Sequence, residues 1–287
     1  MQKALIALDS LEGGPGSWTF GDGTALAQIL GHRISYDVDI FLDSSNVLKN
    51  LAPNVNPVTK SLCDTWQWPG KYLKLILRDV GEIDFLNAPS YIDNPTYQMK
   101  FVDRSIAAER SAEIATKKLI YRASTYTARD TFDLAAIYLY DRSALGEIAQ
   151  CPAITDHVVL SALNRLNLAK HQYQSEMRKL INSTPRGEEF IDKSCEIALE
   201  ALAEIRNLIP KSETEPKQRY AVFLKSRAEA YVSARMVSSP PKTATCYFSA
   251  LLKLHRLIDP SPFIRHVNAA LLVGRSNSYS MARLPSS

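Results

Sequence analysis

The sequence predicts an α+β half, a mixed sheet flanked by helices, followed by an all-helical half. Three observations predict it. In Tyr36-Asp37-Val38-Asp39-Ile40-Phe41 apolar and acidic residues alternate, as they do on a strand with one face in a core. Two more strand candidates, Tyr72 to Arg78 and Gly81 to Leu86, are separated by the turn-like Asp79-Val80. Beyond residue 105 the chain turns helical, with breaks at Pro185, Pro210, Pro240-Pro241 and Pro260. Strands first and helices afterwards define two regions, expected at residues 1–150 and 151–287.

Each element follows from local signals. Met1 to Leu8 reads as a first helix rather than an export signal, because Asp9 follows and no small-residue cleavage site does. Gly13-Gly14-Pro15-Gly16 breaks it, and Trp18 to Phe20 is a short strand candidate. After Gly21-Asp22-Gly23, the run from Thr24 to Leu30 reads as a helix that stops at Gly31. The strand with Asp37 and Asp39 follows, then a polar stretch over 43–70 with a helix around Val47 to Leu51. Helices are expected at Ser105 to Arg122 and Ala128 to Tyr140, the second opened by the capping-box spacing Thr127-Ala128-Arg129-Asp130. Others are expected at 156–181, 187–208, 216–237, 243–258 and 261–273, ahead of a frayed end at 276–287.

Composition excludes several classes. Hydrophobic residues make up 46% and charged residues 22%, as in a soluble globular protein, and no stretch has the apolar length to cross a bilayer. The four cysteines, Cys63, Cys151, Cys195 and Cys246, have no paired spacing, against a zinc site or a disulfide framework, so a cytoplasmic setting is expected. The net charge of +4 is uneven. From Lys211 onward twelve Lys and Arg face four acidic residues, a local net of +8, which leaves −4 for the first 210. Such a basic segment suits a polyanion or an acidic partner, and equally a set of solvated cationic helix faces.

Asp37 and Asp39 carry the clearest chemical signal. On one strand face, two carboxylates about 5 Å apart repel by roughly 3 kcal/mol at an effective dielectric of about 20. A compensating cation removes that cost, and Mg2+ commonly binds through one or two carboxylates plus phosphate oxygens. A solvated pair at a strand end is the plain alternative. Asp84, expected on a neighbouring strand, shares its face with Glu82, so either could be a third carboxylate.

A glycine turn, a helix and then Asp-x-Asp on the next strand resembles the core of polymerase-beta-like nucleotidyltransferases. Residues 24–36 separate Gly23 from Asp37, a spacing within that superfamily's range. More narrowly, the chain resembles the AbiEii-type nucleotidyltransferase toxins of abortive-infection and toxin-antitoxin systems. The matching blocks are 20–26, 32–41, 81–85, 113–119 and 128–134, which read FGDGTAL, HRISYDVDIF, GEIDF, EIATKKL and ARDTFDL. They cover the first half of the chain, up to residue 145. One position departs: Asp22 stands where the family has a run of glycines before Thr, which would repel a nucleotide or alter the turn.

The resemblance implies a Mg2+-dependent transfer of a nucleoside monophosphate from an NTP to an acceptor hydroxyl. RNA, with tRNA ends favoured, is the implied acceptor, and a cognate antitoxin the implied protein partner. Asp37 and Asp39 would hold the metal, and Asp84 would be a second-metal ligand or base. Lys118 would hold nucleotide phosphates, with Lys117 an equal fit to helical periodicity, and Asp130 matches the family's Arg-Asp motif although the capping box alone accounts for it. Gly21, Gly23 and Thr24 would form the phosphate-facing turn, with Arg33 and Ser35 lining the same cleft. His32 is expected to be structural, and Tyr121, Tyr126 and Tyr138 to serve as core or cleft wall. Two other readings stay open: a protein or small-molecule acceptor, and a degenerate enzyme serving as a binding subunit.

Overall fold

The computed structural model describes residues 1–211, so the expected elements at 216–237, 243–258 and 261–273, the expected frayed end and the basic segment lie outside the described residues. Met1–Lys211 forms one compact unit. The boundary expected near residue 150 falls inside that unit, because the helices beyond it pack on those before it.

Helix α1 (Gln2–Asp9) buries Ala4, Leu5, Ala7 and Leu8 along one stripe. Strand β1 (Trp18–Gly21) runs directly into α2 (Asp22–Leu30), which ends where Gly31 turns left-handed at φ 62° and bonds back to Ala27. Strand β2 (Val38–Leu42) is followed by α3 (Ser45–Leu51), capped by Ser44, and α4 (Pro57–Leu62), capped by Asn56. Then come β3 (Thr65–Gln67), β4 (Tyr72–Leu77) and β5 (Gly81–Asn87), and the hairpin β6 (Thr96–Phe101) and β7 (Arg104–Glu109). The helical part comprises α5 (Ser111–Arg122), α6 (Ala128–Tyr140), α7 (Ala144–Gln150), α8 (Asp156–Leu180), α9 (Pro185–Glu188) and α10 (Ser194–Leu208).

The sheet has the order β3-β4-β5-β2-β1-β7-β6. It is mixed: β2 with β5 and β1 with β7 run parallel, and the other pairs run antiparallel. Alternation sorts its faces. Ile40, Leu73, Leu75 and Phe85 are completely buried, each contributing about 1.5–3 kcal/mol by leaving water. Asp39, Phe41, Lys74 and Asp84, one position out of phase, lie on the other face. The Lys117 ammonium, 3.7 Å from the centre of the Phe41 ring, puts α5 over that second face. On the helical side, α10 packs against α6, α7 and α8, with Phe132 stacked on Phe190 at 4.7 Å.

Two expectations need correction. The helix expected from Ser105 begins only at Ser111, because Arg104–Glu109 pairs with β6 as a strand that buries Ile106 and Ala108. The Ala-Ala-Glu-Arg composition suits a helix, but the partner strand decides the outcome. The helix expected from residue 187 is divided, with α10 starting at Ser194. Gly187 lies so close to the His32 carbonyl that a Cβ would collide with it, which fixes the chain path before α10.

Candidate active site

Strand register brings the key side chains into one row. Gly21 on β1 pairs with Asp39 on β2, Asp39 with Asp84 on β5, and Asp84 with Lys74 on β4. Neighbouring strands lie about 4.8 Å apart, so Asp39 and Asp84 project side by side from one face. Lys74 Nζ sits 3.1 Å from Asp84 Oδ2 and also pairs with Glu82. The other Asp84 oxygen, Oδ1, is buried and has no hydrogen-bond partner.

Such crowding changes the acidities. Burial, then the charges of Asp22 and Asp84, push the Asp39 carboxyl well above its ordinary range. Burial also raises Asp84, although Lys74 pulls it down. Asp37 lies one residue before β2 and is half-buried, its Oδ1 accepting from the Glu82 backbone N–H at 3.3 Å. Asp39 and Asp84 are register partners, and Asp37, beside Glu82 at the strand entrance, adds its charge to both. Among the described residues, no group of three His, Cys, Asp or Glu side chains is gathered to hold a metal ion. Two neighbouring carboxylates, one with an unpartnered oxygen, still suit Mg2+, which takes its remaining ligands from water and phosphate.

The glycine turn closes the row from one side. A Cβ at Gly21 would run into the Glu109 carboxylate and the Phe41 ring, and one at Gly23 into the Arg33 guanidinium. Between them Asp22 adopts φ 50°, a left-handed conformation that glycine takes more readily. Its carboxylate is 3.0 Å from Arg122 Nη2 and 3.1 Å from Lys118 Nζ. Burial pushes the Asp22 carboxyl up and these two cations pull it down, with the cations prevailing. Thr24 Oγ1 donates to Ser35 Oγ at 2.7 Å, so these hydroxyls bond to each other.

Lys118 stands at the centre of a closed network. Its ammonium reaches Asp133 Oδ2 at 2.6 Å, Asp130 Oδ1 at 3.0 Å and Asp22 Oδ1 at 3.1 Å, three carboxylates for its three N–H donors. Burial would lower Lys118, but Asp133, Asp22 and Asp130 raise it above the usual lysine range. Arg33 Nε donates to Asp133 Oδ1 at 2.7 Å, and His32 Nε2 lies 2.8 Å from the same oxygen. Despite its own burial, Asp133 is held well below the usual carboxylate range by Lys118, Arg33 and His32. Asp130 serves as both capping-box acid and Lys118 partner, its Oδ2 accepting from the Thr127 N–H at 3.1 Å.

Sequence reasoning missed Asp133 as the hub. A signal existed: Asp130 and Asp133 stand three apart on one helix face amid Phe132, Leu134, Ala135 and Ala136, and two buried carboxylates require cations. Arg122 was likewise missed. The choice between neighbouring lysines also becomes visible. Lys117 turns to Glu109, to Glu113 at 3.6 Å and to the Phe41 ring. Glu113 in turn accepts from the Tyr91 and Ile92 N–H groups at 3.0 Å, anchoring the loop after β5. Burial pushes the Glu109 carboxyl up to about 7 against the pull of Lys117 and Thr19. His32 is fully buried against Phe132, Tyr126 is core, Tyr121 is exposed with its hydroxyl 2.7 Å from that of Tyr91, and Tyr138 lies under the Arg142 guanidinium.

Beside Asp37 a cleft of about 550 Å³ opens between the β4–β5 turn, the segment before β2 and the end of α8. Ser35, Tyr36, Asp37, Arg78, Glu82 and Arg129 are on its walls. Arg33 reaches the same wall, although its guanidinium is held by Asp133. Tyr36 is 67% exposed, an aromatic ring left in water at the cleft edge.

Comparison with known proteins adds little to this geometry. No family model matches the sequence, and no curated protein matches it. Among solved structures, the chain is similar to MenT4, a nucleotidyltransferase toxin from Mycobacterium tuberculosis, with a TM-score of 0.40 and 13% sequence identity, covering 77% of this chain and 90% of that one. No described helix is long and apolar enough to cross a membrane.

Proposed function

We propose that the protein is a nucleotidyltransferase of the AbiEii-type toxin class, moving a nucleoside monophosphate from an NTP to a hydroxyl of RNA, with tRNA ends favoured. The observation that carries this reading is the Asp39–Asp84 pair, side by side on parallel strands, with an unpartnered Asp84 oxygen and a glycine turn at the same end of the sheet. Asp39 and Asp84, with Asp37 at the entrance, would hold Mg2+, whose charge stabilises the triphosphate and the leaving pyrophosphate. Acting as base instead of as a ligand, Asp84 would take the proton of the acceptor hydroxyl on Oδ1 as the hydroxyl oxygen bonds to the α-phosphorus and the bond to pyrophosphate breaks.

Arg78, Arg129 and the exposed Tyr36 beside Asp37 favour a nucleic-acid acceptor, because arginines meet phosphates and an open ring stacks on a base. Toxin action and neutralisation by a cognate antitoxin rest on the five sequence blocks alone. A second reading, an impaired enzyme acting as a binding subunit, is favoured by Lys118, whose donors are all matched by carboxylates.

The test is label transfer from each of four α-labelled NTPs with Mg2+ and total tRNA, wild type against Asp39→Asn. Label in RNA with wild type alone supports the proposal and names the nucleotide. No label with either, while both proteins are folded, favours another acceptor or the impaired reading, and calorimetric NTP binding separates those two.

A further inference from the structure

The three carboxylates on Lys118 are not equivalent. The Asp130 and Asp133 side chains are sealed at 1% exposure, whereas Asp22 is 24% exposed. Asp22 also bridges to Arg122, itself 38% exposed, so one carboxylate spans a buried and a half-open cation. Its neighbour Gly21 is the register partner of Asp39, which puts the bridge beside the carboxylate pair.

We propose that Asp22 competes with the substrate's phosphate: its carboxylate fills an anion seat made by Lys118 and Arg122, and a phosphate must displace it to enter. The inference rests on the nucleotide-transfer reading. Charge balance in the cluster supplies the argument. Asp22, Asp130 and Asp133 face Lys118, Arg33 and Arg122, three charges against three. A phosphate added to the full cluster leaves an uncompensated buried anion. With Asp22 turned outward, both cations regain an acceptor, and the charge-assisted hydrogen bonds to phosphate replace those to carboxylate.

Such an exchange gives a single phosphate group little, because it swaps one anion for another. A triphosphate carries further phosphates toward Asp39 and Asp84 and their cation, so its binding offsets the displacement. The displacement cost is common to every phosphate that enters the seat, so Asp22 weakens all of them, and a triphosphate has the further contacts to offset it. The left-handed backbone at position 22 makes Gly a sterically suitable replacement, and Asn tolerates the same conformation.

The experiment is calorimetric titration of the full chain with ATP, AMP and inorganic tripolyphosphate, in Mg2+ at fixed ionic strength, for wild type, Asp22→Asn and Asp22→Gly. Thermal melting confirms that each is folded. The expected result is tripolyphosphate and ATP binding about tenfold tighter in both variants. Adding Arg122→Gln to Asp22→Gly should return the affinity to that of wild type or below. Unchanged or weaker binding in the folded variants, with wild type binding ATP, overturns the proposal and leaves the nucleotide reading intact. If no protein binds either ATP or tripolyphosphate, both fall together.

Discussion

Around Lys118 every buried charge has found its opposite: Arg33, Lys118 and Arg122 interlock with Asp22, Asp130 and Asp133, and His32 completes the shell of Asp133. Between Asp39 and Asp84, on the same unit, like charges are held together, both carboxyls are raised, and one oxygen is left without a donor. Lys74 relieves Asp84 and Glu82 but leaves Asp39 crowded. The first arrangement joins α2, α5 and α6 into a strut. The second joins β4 to β5 through Lys74 but leaves Asp39 against like charges, as expected of a group kept for a ligand.

The largest effect should come from breaking the strut. Asp133→Asn leaves Arg33 and Lys118 short of a buried partner, and unfolding in urea should show a loss of about 3–5 kcal/mol. Glu109 gives a smaller signal with a defined sign. Its folded carboxyl is raised to about 7, so its contribution is full below the unfolded value near 4.5 and is lost as pH rises toward 7. Stability of the wild type should fall by up to roughly 3 kcal/mol across that window, and the slope should flatten in Glu109→Gln. Thr127→Ala removes the cap of α6 and a hydroxyl donor to Asp130, and should cost about 1 kcal/mol.

Asp39 sharpens the contrast in the opposite direction. Because its carboxyl is raised in the folded state, stability is lost as pH climbs through that raised value, so Asp39→Asn should melt higher than wild type at neutral pH without metal. A stabilising substitution here and a strongly destabilising one at Asp133 would separate the two kinds of buried charge in one set of melts. Equal losses at both positions would merge them into a single structural network.

Much of the sheet was legible because period-2 alternation is local: Val38, Ile40, Ile83 and Phe85 announce their buried face without knowledge of their neighbours. Helix α6 was legible for a similar reason, since its cap residues and apolar stripe lie within one stretch. The β6–β7 hairpin was not, because Ser105-Ile106-Ala107-Ala108-Glu109 has a helical composition and its strand state depends on pairing with Thr96–Phe101. At the site, the glycine turn and the acidic strands could be read directly. The partners of Asp22 could not: Lys118 and Arg122 lie about a hundred residues away, and only tertiary packing shows that the residue expected to disturb the turn bridges two cations.

The most direct test of the Asp39–Asp84 pair as a cation and phosphate seat is the shift in melting temperature on adding Mg2+ with ATP at pH 8. Wild type, Asp39→Asn and Asp84→Asn are compared. The expected result is a clear rise for wild type that is lost in both variants, each of which melts cooperatively on its own. A rise of the same size in all three would contradict it, because the ligand would then be held elsewhere.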